Sequence, residues 1–348
     1  WKDVVLLERN ELTSGSSWHA AGSFHTLSSD PNVSKLQDYT ISLYKEIEET
    51  SGHSISMHKT GGYYLASNQS WHDYLKRERS KARSIGLDQE FVTLDEVVDK
   101  HPLIDPEHYV AALWDPADGD LDPSGVVYAY AKSARVHGAE FFTHTPVIET
   151  NQRPDGSWDV VTEKGNIHAE HIVNAGGLWA REVGRMANVH LPVVPMEHHY
   201  LITEEIEQIA NLPEGRRLPH CIDFEANIYL RQENTGMLLG TYEPRSTPWS
   251  LDGTPQNFGH DLLDPKLDHI ADRLELAFER IPALGTAGIK NIINGPFVFS
   301  PDGNPMIGPA SILVRKHPLL VMATSIVEIP LQDGSLGVFL QYSRVARS

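Results

Sequence analysis

Two hydrophobic periods alternate along the chain. DVVLLE, residues 3–8, is a continuous apolar, partly β-branched run that ends in Glu8. Such a run fits a strand buried on both faces with an acid at its carboxyl end. Residues 33–50 switch to a helical period, setting Leu36, Ile41, Leu43, Tyr44 and Ile47 near one stripe, with Gly52 as a stop. HKTGGYYLAS, from His58, reads as a strand entered through two glycines, and SWHDYLKRERSKARSIG, from Ser70, as a charged amphipathic helix. TLDEVVDK, from Thr93, is a short capped helix that ends before Pro102. A turn-rich acidic loop then leads to a helix from about Pro123 to His137, with Gly138 at its exit.

The second half brings hairpins. A turn through EKGN, residues 163–166, joins two strands, the second of which ends in Ala175-Gly176-Gly177. Strands recur at HHYLITE, NIYLRQE and GMLLGTYE, the last two separated by NTG. KLDHIADRLELAFERI, from Lys266, is a periodic helix stopped at Pro282. Strand, helix and strand alternate at both ends, with hairpins between. The expected class is therefore α/β of a mixed kind: a nucleotide-binding α/β domain interrupted by a mixed-sheet domain.

Composition narrows the function classes. The chain has 348 residues, 40% of them hydrophobic and 22% charged, which is globular. A net charge of -18 argues against a nucleic-acid partner. No apolar run approaches the roughly 20 residues of a membrane span. Cys221 is the lone cysteine, so internal disulfides and cysteine metal clusters are excluded and a reducing compartment is expected. The 18 histidines show no metal-ligand spacing, and no metal site is expected. Walker and GxSxG motifs are absent, and DPADGDLDP lacks EF-hand spacing. That acidic segment reads as a rigid connection.

Three stretches carry candidate chemistry. Glu8 stands where a dinucleotide-binding unit places the acid that bonds ribose hydroxyls; the matching glycine fingerprint is expected upstream of Trp1. GSSWHAAG, residues 15–22, fits a loop entering a helix, with His19 an ordinary histidine. It equally fits close backbone approach to a pyrophosphate or ring, with His19 a neutral imidazole nucleophile toward an electrophile such as a flavin 8α carbon. IVNAGGLWA, residues 172–180, is either a plain glycine turn or a phosphate- or sugar-contacting one. Alternation sends His198 and Tyr200 to one strand face and His199 to the other. His198 and Tyr229 then either share a site or lie on an exposed sheet face.

Taken together, WKDVVLLERNELTSGSSWHAAG, WDPADGDLDPSGVV, IVNAGGLWAREVG, IYLRQE and INGPFVFSPDGNPMIGP resemble, in order, the flavin domain of the dimethylglycine and sarcosine dehydrogenases. These are relatives of D-amino-acid oxidase, and the resemblance covers roughly Trp1 to Pro309. It implies a D-amino-acid-oxidase-like fold, with a discontinuous Rossmann-like FAD-binding domain at 1–48, 120–190 and 300–348. The resemblance implies that the first βα unit of that domain is missing from the sequence and belongs upstream of Trp1. A mixed-sheet substrate domain would occupy 49–119 and 191–299.

The resemblance also implies roles. Glu8 would hold the adenosine ribose, with Arg9 beside it. Gly15, Ser16, Ser17, Trp18, His19, Ala20, Ala21 and Gly22 would run along the flavin, covalently joined through His19. Val147 would lie at the adenine end, and Ala175, Gly176 and Trp179 would continue the cofactor wall. His198 and Tyr229 would face the substrate amine, His198 aiding its deprotonation and Tyr229 orienting it. Arg231 is a candidate for the substrate carboxylate by location alone. The implied reaction is oxidative demethylation of an N-methyl amino acid by hydride transfer to flavin N5, within choline and betaine catabolism and one-carbon metabolism. Electrons would pass to an electron-transfer flavoprotein or to oxygen. Tetrahydrofolate would take part only where a carboxyl-terminal folate domain accompanies this chain. The compartment would be the cytoplasm in a bacterium and the mitochondrial matrix in a eukaryote.

One segment departs from the pattern. Where the family has closely spaced glycines and an aromatic beside the flavin, this chain has Ser325, Ile326, Val327, Glu328 and Ile329. Side chains there would hinder backbone approach to the ring. This departure keeps open a rival reading, a non-catalytic relative with a regulatory or binding role.

Overall fold

The computed structural model describes residues 3–243 and 245–310, and beyond them only the backbone of short strands at 319–323, 327–329, 335–337 and 344–347. The Ser325 to Ile329 segment thus lies outside the residues whose side chains are described. Two eight-stranded sheets dominate a mixed α/β architecture, the class expected from the alternation of periods. Among the described residues no helix is long and apolar enough to cross a membrane.

The first sheet contains Val4–Leu7, which runs parallel to Glu140–Phe142 and is apolar on both faces, with Val5, Leu6 and Leu7 buried. Gly165–Asn174 lies further across the same sheet, parallel to Leu319–Ala323. The predicted hairpin is present, with Gly165 paired to Thr162. The strands of the second sheet all come from residues 62–115 and 194–299, ordered as 289–299, 194–203, 236–241, 228–233, 220–223, 62–66, 111–115 and 90–92.

Helix boundaries follow local chemistry. Pro31–Ser51 starts on Asp30, whose carboxylate accepts from Asn32 N–H at 2.7 Å, and ends on Gly52 at φ 59°. Its buried face differs from the apolar stripe. Ile41 and Tyr44 are buried, but so are Ser34, Gln37 and Thr40, while Leu36, Leu43 and Ile47 are only half-buried. Pro123–Val136 begins on Asp122 and leaves through His137 and Gly138. The helix expected from Lys266 is shorter, Ala271–Arg280, preceded by a 3₁₀ turn at Leu267–His269.

The acidic loop does more than connect. Gly119–Asp120 pairs antiparallel with Ser23–Phe24, directly after the GSSWHAAG stretch. Gly22 sits at φ 81°, and a Cβ there would come 2.5 Å from the Leu121 carbonyl oxygen, so the small residue is a steric requirement. Buried Asp118 accepts from Thr26 N–H at 3.1 Å, and buried Asp115 accepts from the Thr26 hydroxyl.

Candidate functional site

A cleft opens at the carboxyl ends of Val4–Leu7 and Gly165–Asn174. Glu8, Arg9, Gly15, Val147, Ala175, Gly176 and Trp179, all singled out in the sequence, line it. Glu8 follows its strand directly, and one carboxylate oxygen accepts from Asn10 N–H at 2.9 Å. Burial raises its pKa above the usual glutamate value. Arg9 stacks its guanidinium 4.3 Å over the Trp179 ring, while its buried Nε and Nη1 find no partner within the protein. Asn174, missed in the sequence, shapes the opposite wall. Its carbonyl accepts from Gly176 N–H at 3.1 Å and its amide donates to the Ala180 carbonyl at 2.9 Å, which fixes the glycine turn.

From this cleft the chain runs through Ser16 and a single 3₁₀ turn, Ser17–His19, toward the second sheet. The Ser16 hydroxyl donates to the Pro296 carbonyl at 2.7 Å. Trp18 and His19 meet edge to face at 5.3 Å, and the Trp18 Nε1 and His19 Nε2 atoms are buried with no protein partner. The His19 ring lies on Gly295, where a Cβ would come within 2.3 Å of it. Burial holds the His19 pKa down at about 4, its own backbone opposing and His198 adding to the shift. The imidazole is therefore neutral near pH 7. Ala20 closes the turn by donating its N–H to the Ser17 carbonyl, and the Ala21 carbonyl accepts from Arg231 Nε.

Gly295 is the cross-strand partner of His198, so His19 and His198 approach from two separate parts of the chain. His198 Nε2 lies 3.1 Å from the Tyr229 hydroxyl. The Tyr229 ring reaches across Gly240, where a Cβ would stand 1.8 Å from the ring. Tyr242 packs 4.9 Å from His198 and 5.4 Å from Tyr229, and Phe297 closes the other side at 4.9 Å. The Tyr242 hydroxyl is buried without a partner. Burial lowers the His198 pKa to about 4.

The structure thus brings His198 and Tyr229 into one hydrogen-bonded pair on a buried face. Arg231 is otherwise engaged: besides the Ala21 carbonyl it pairs with the Glu233 carboxylate. Tyr242, Gly240, Gly295 and Asn174 escaped the sequence reading. A usable signal existed for the two glycines, because glycine inside an otherwise β-prone strand marks close approach by another group.

The unpartnered buried donors of Arg9 and Trp18, the unpartnered His19 ring nitrogen, the strand-end carboxylate of Glu8 and the small residues of 15–22 all suit a flavin dinucleotide. A family model for FAD dependent oxidoreductases, abbreviated DAO, matches residues 1–334. The mitochondrial dimethylglycine dehydrogenase of Mus musculus is 39% identical over 313 residues, covering 88% of this chain and 36% of that protein. The mitochondrial sarcosine dehydrogenase of the same organism is 34% identical over 313 residues, again 88% of this chain and 33% of that protein. The chain therefore spans only about a third of the length of these relatives. Among solved structures, L-proline dehydrogenase from P. horikoshii shares the fold with a TM-score of 0.78 at 24% identity, over 91% of this chain and 80% of that one. The chain belongs to the family of FAD-dependent oxidoreductases.

Proposed function

We propose that this chain is the flavin-bearing part of an enzyme that oxidises an N-methyl group of a small amino acid, of the dimethylglycine or sarcosine type. The observation that carries the reading is the meeting of His19 with the His198–Tyr229 pair across Gly295. A bound flavin supplies the hydride acceptor for the carbon next to nitrogen. The chain's residues do the rest. Glu8 offers its carboxylate to the ribose hydroxyls, and Arg9, Gly15, Val147, Ala175, Gly176 and Trp179 complete that end of the site. Neutral His19, with Nε2 unpartnered, is suited to covalent attachment.

The substrate amine would sit against Tyr229, Tyr242 and Phe297, whose ring faces attract an alkylated ammonium. Its lone pair has to be free before the carbon–hydrogen bond breaks. The neutral His198 imidazole, bonded to the Tyr229 hydroxyl, is the group that takes up the ammonium proton. The Tyr242 hydroxyl, unpartnered in the protein, is available to the substrate.

The deciding experiment denatures the full-length natural protein in acid and looks for flavin fluorescence in its gel band, alongside His19→Ala. Fluorescence lost in the variant supports the covalent anchor, and turnover of dimethylglycine or sarcosine by the parent supports the activity. A well-folded parent that binds no flavin overturns the reading. Flavin that is bound but extractable removes the anchor alone.

A further inference from the structure

Behind the His198–Tyr229 pair lies a buried acid. His198 and His199 leave the same strand on opposite faces, yet both reach the Glu243 carboxylate, which follows the Gly236–Thr241 strand. His199 Nε2 accepts from the Lys266 backbone N–H at 3.2 Å, so its proton must sit on Nδ1, which donates to Glu243 Oε1 at 2.9 Å. The second carboxylate oxygen, Oε2, stands 3.9 Å from His198 Nδ1. The Glu243 side chain is only 6% exposed, so little solvent screens that approach.

The surroundings of His198 single out this acid. His19 faces it from the loop after the first strand and His199 adjoins it on its own strand. Tyr242 faces it from the chain just past the neighbouring Gly236–Thr241 strand, and Tyr229 from the strand beyond that one. Glu197 and Lys266 are paired with each other at 2.6 Å. Among the described residues, Glu243 is the carboxylate within ion-pair range of His198.

We propose that Glu243 is a positioning residue for His198, holding the imidazole with its proton on Nδ1 and its Nε2 lone pair aimed at the Tyr229 hydroxyl. This rests on the reading of His198 and Tyr229 as the proton-handling pair. The proton step then balances. The substrate ammonium gives a proton to the Tyr229 oxygen as the Tyr229 O–H proton moves to His198 Nε2. One substrate N–H bond is broken, one imidazole N–H bond is formed, and the phenol is restored. The amine lone pair is freed, and the new imidazolium faces the Glu243 carboxylate. Burial, with His199 adding to it, lowers the His198 pKa to about 4, and Glu243 is the group that opposes that shift.

The test is spectroscopic first. Long-range proton–nitrogen correlation spectra of the flavin-loaded protein, labelled at histidine and assigned with His198→Gln, report the tautomer directly. A protonated Nδ1 and bare Nε2 near neutral pH are expected; a protonated Nε2 overturns the proposal. Glu243→Gln keeps an acceptor for His199 but removes the charge. Its flavin content should match the parent, while the rising limb of kcat/KM against pH, which follows loss of the His198 proton, moves about one unit to the acidic side. Glu243→Asp, which keeps the charge, should bring the limb part of the way back. An unmoved limb with full flavin content in Glu243→Gln overturns the positioning role. Absence of N-methyl amine turnover by the parent sinks the functional reading by itself, and the tautomer spectrum still decides the part played by Glu243.

Discussion

The two faces of the second sheet are built from the same strands and differ in how their polar atoms are treated. On one face Leu201, Leu239, Leu230, Cys221 and Tyr63 form a row buried with Leu274, Ala277 and Ile281 of the 271–281 segment. The buried charge there is paired: Arg280 donates to Asp223 at 2.6 Å and to Glu225 at 2.9 Å, and the Tyr109 hydroxyl donates to Asp223 at 2.9 Å. The other face carries His198, Tyr200, Tyr229 and Tyr242, met by His19, against whose ring Trp18 packs. There the Tyr242 hydroxyl, His19 Nε2 and Trp18 Nε1 are buried without protein partners. Orphaned buried polar groups are rare and costly in a native fold. The first face also has unpartnered buried atoms, Arg280 Nε and Thr241 Oγ1, but only the second sets them among aromatic and imidazole rings, the surroundings that suit the proposed ligand.

Breaking each face should therefore have a different signature. Arg280→Ala leaves Asp223 a buried acid without its ionic partner, and should lower the unfolding free energy by about 3–5 kcal/mol, read from urea melts. The kinetics of the fraction that stays folded should be unchanged. Tyr229→Phe should do the reverse. Interrupting proton transfer costs on the order of 10²–10⁴ in kcat/KM, while the urea midpoint stays near the parent's. A Tyr229→Phe protein that unfolds early, or an Arg280→Ala protein that is stable but inactive, would erase the distinction between the faces.

Much of this contrast was legible in the sequence, and the rest was hidden for identifiable reasons. That Glu8 would stand at the carboxyl end of a buried strand was readable from the apolar run before it, and the fold sets it in the cleft wall. Alternation placed His198 with Tyr200 on one strand face, but it left open whether Tyr229, on another strand, shares a site with His198, and the fold supplies the 3.1 Å contact. Glu243 was not readable, since GMLLGTYE reads as one strand through Glu243 whereas the strand ends at Thr241, so alternation no longer sets the direction of its side chain. Gln37 and Ser34 misled the helix reading because polar residues can share a buried face with Ile41 and Tyr44. Arg231 looked like a carboxylate ligand because sequence shows charge but not whether it is already paired. Asp115 and Asp118 looked like part of a turn, and only the fold shows Thr26 brought against them.

A smaller effect sharpens the comparison at Tyr242. Its hydroxyl has no partner to lose, so Tyr242→Phe should leave the urea midpoint unchanged or slightly raised. If the hydroxyl bonds the substrate, KM should rise by roughly 2–10-fold, the worth of one neutral hydrogen bond, with kcat little altered. A drop in stability with unchanged KM would assign the hydroxyl to the fold instead.

The subtlest effect lies close to the Gly15–Gly22 stretch, at Thr26. Asp118 is fully buried, accepting from Thr26 N–H and from the Tyr64 hydroxyl at 2.7 Å. Burial, and then the neighbouring Asp115 carboxylate, push its pKa well above the usual value of 3.8, and burial raises Asp115 as well. The folded protein therefore holds a proton that the unfolded chain has already released. Stability from this source is fully present below the unfolded pKa and falls as pH rises from there through the folded pKa. Asp118→Asn keeps an acceptor for Thr26 and carries no titrating proton, so its melting temperature should decline less than the parent's as pH rises to about 8. Buried His25 and His220, with pKa values pulled down by burial, act in the opposite direction below the ordinary histidine pKa of 6.5. His25 contributes alike in both proteins, whereas His220 Nε2 stands 3.5 Å from Asp118 Oδ2, so the comparison is made well above pH 6.5, where both histidines are neutral in the folded and unfolded states. Parallel profiles would mean that Asp118 is ionised in the folded state across the whole range, and that the Asp115–Asp118 pair tethers Thr26 by charge rather than by a held proton.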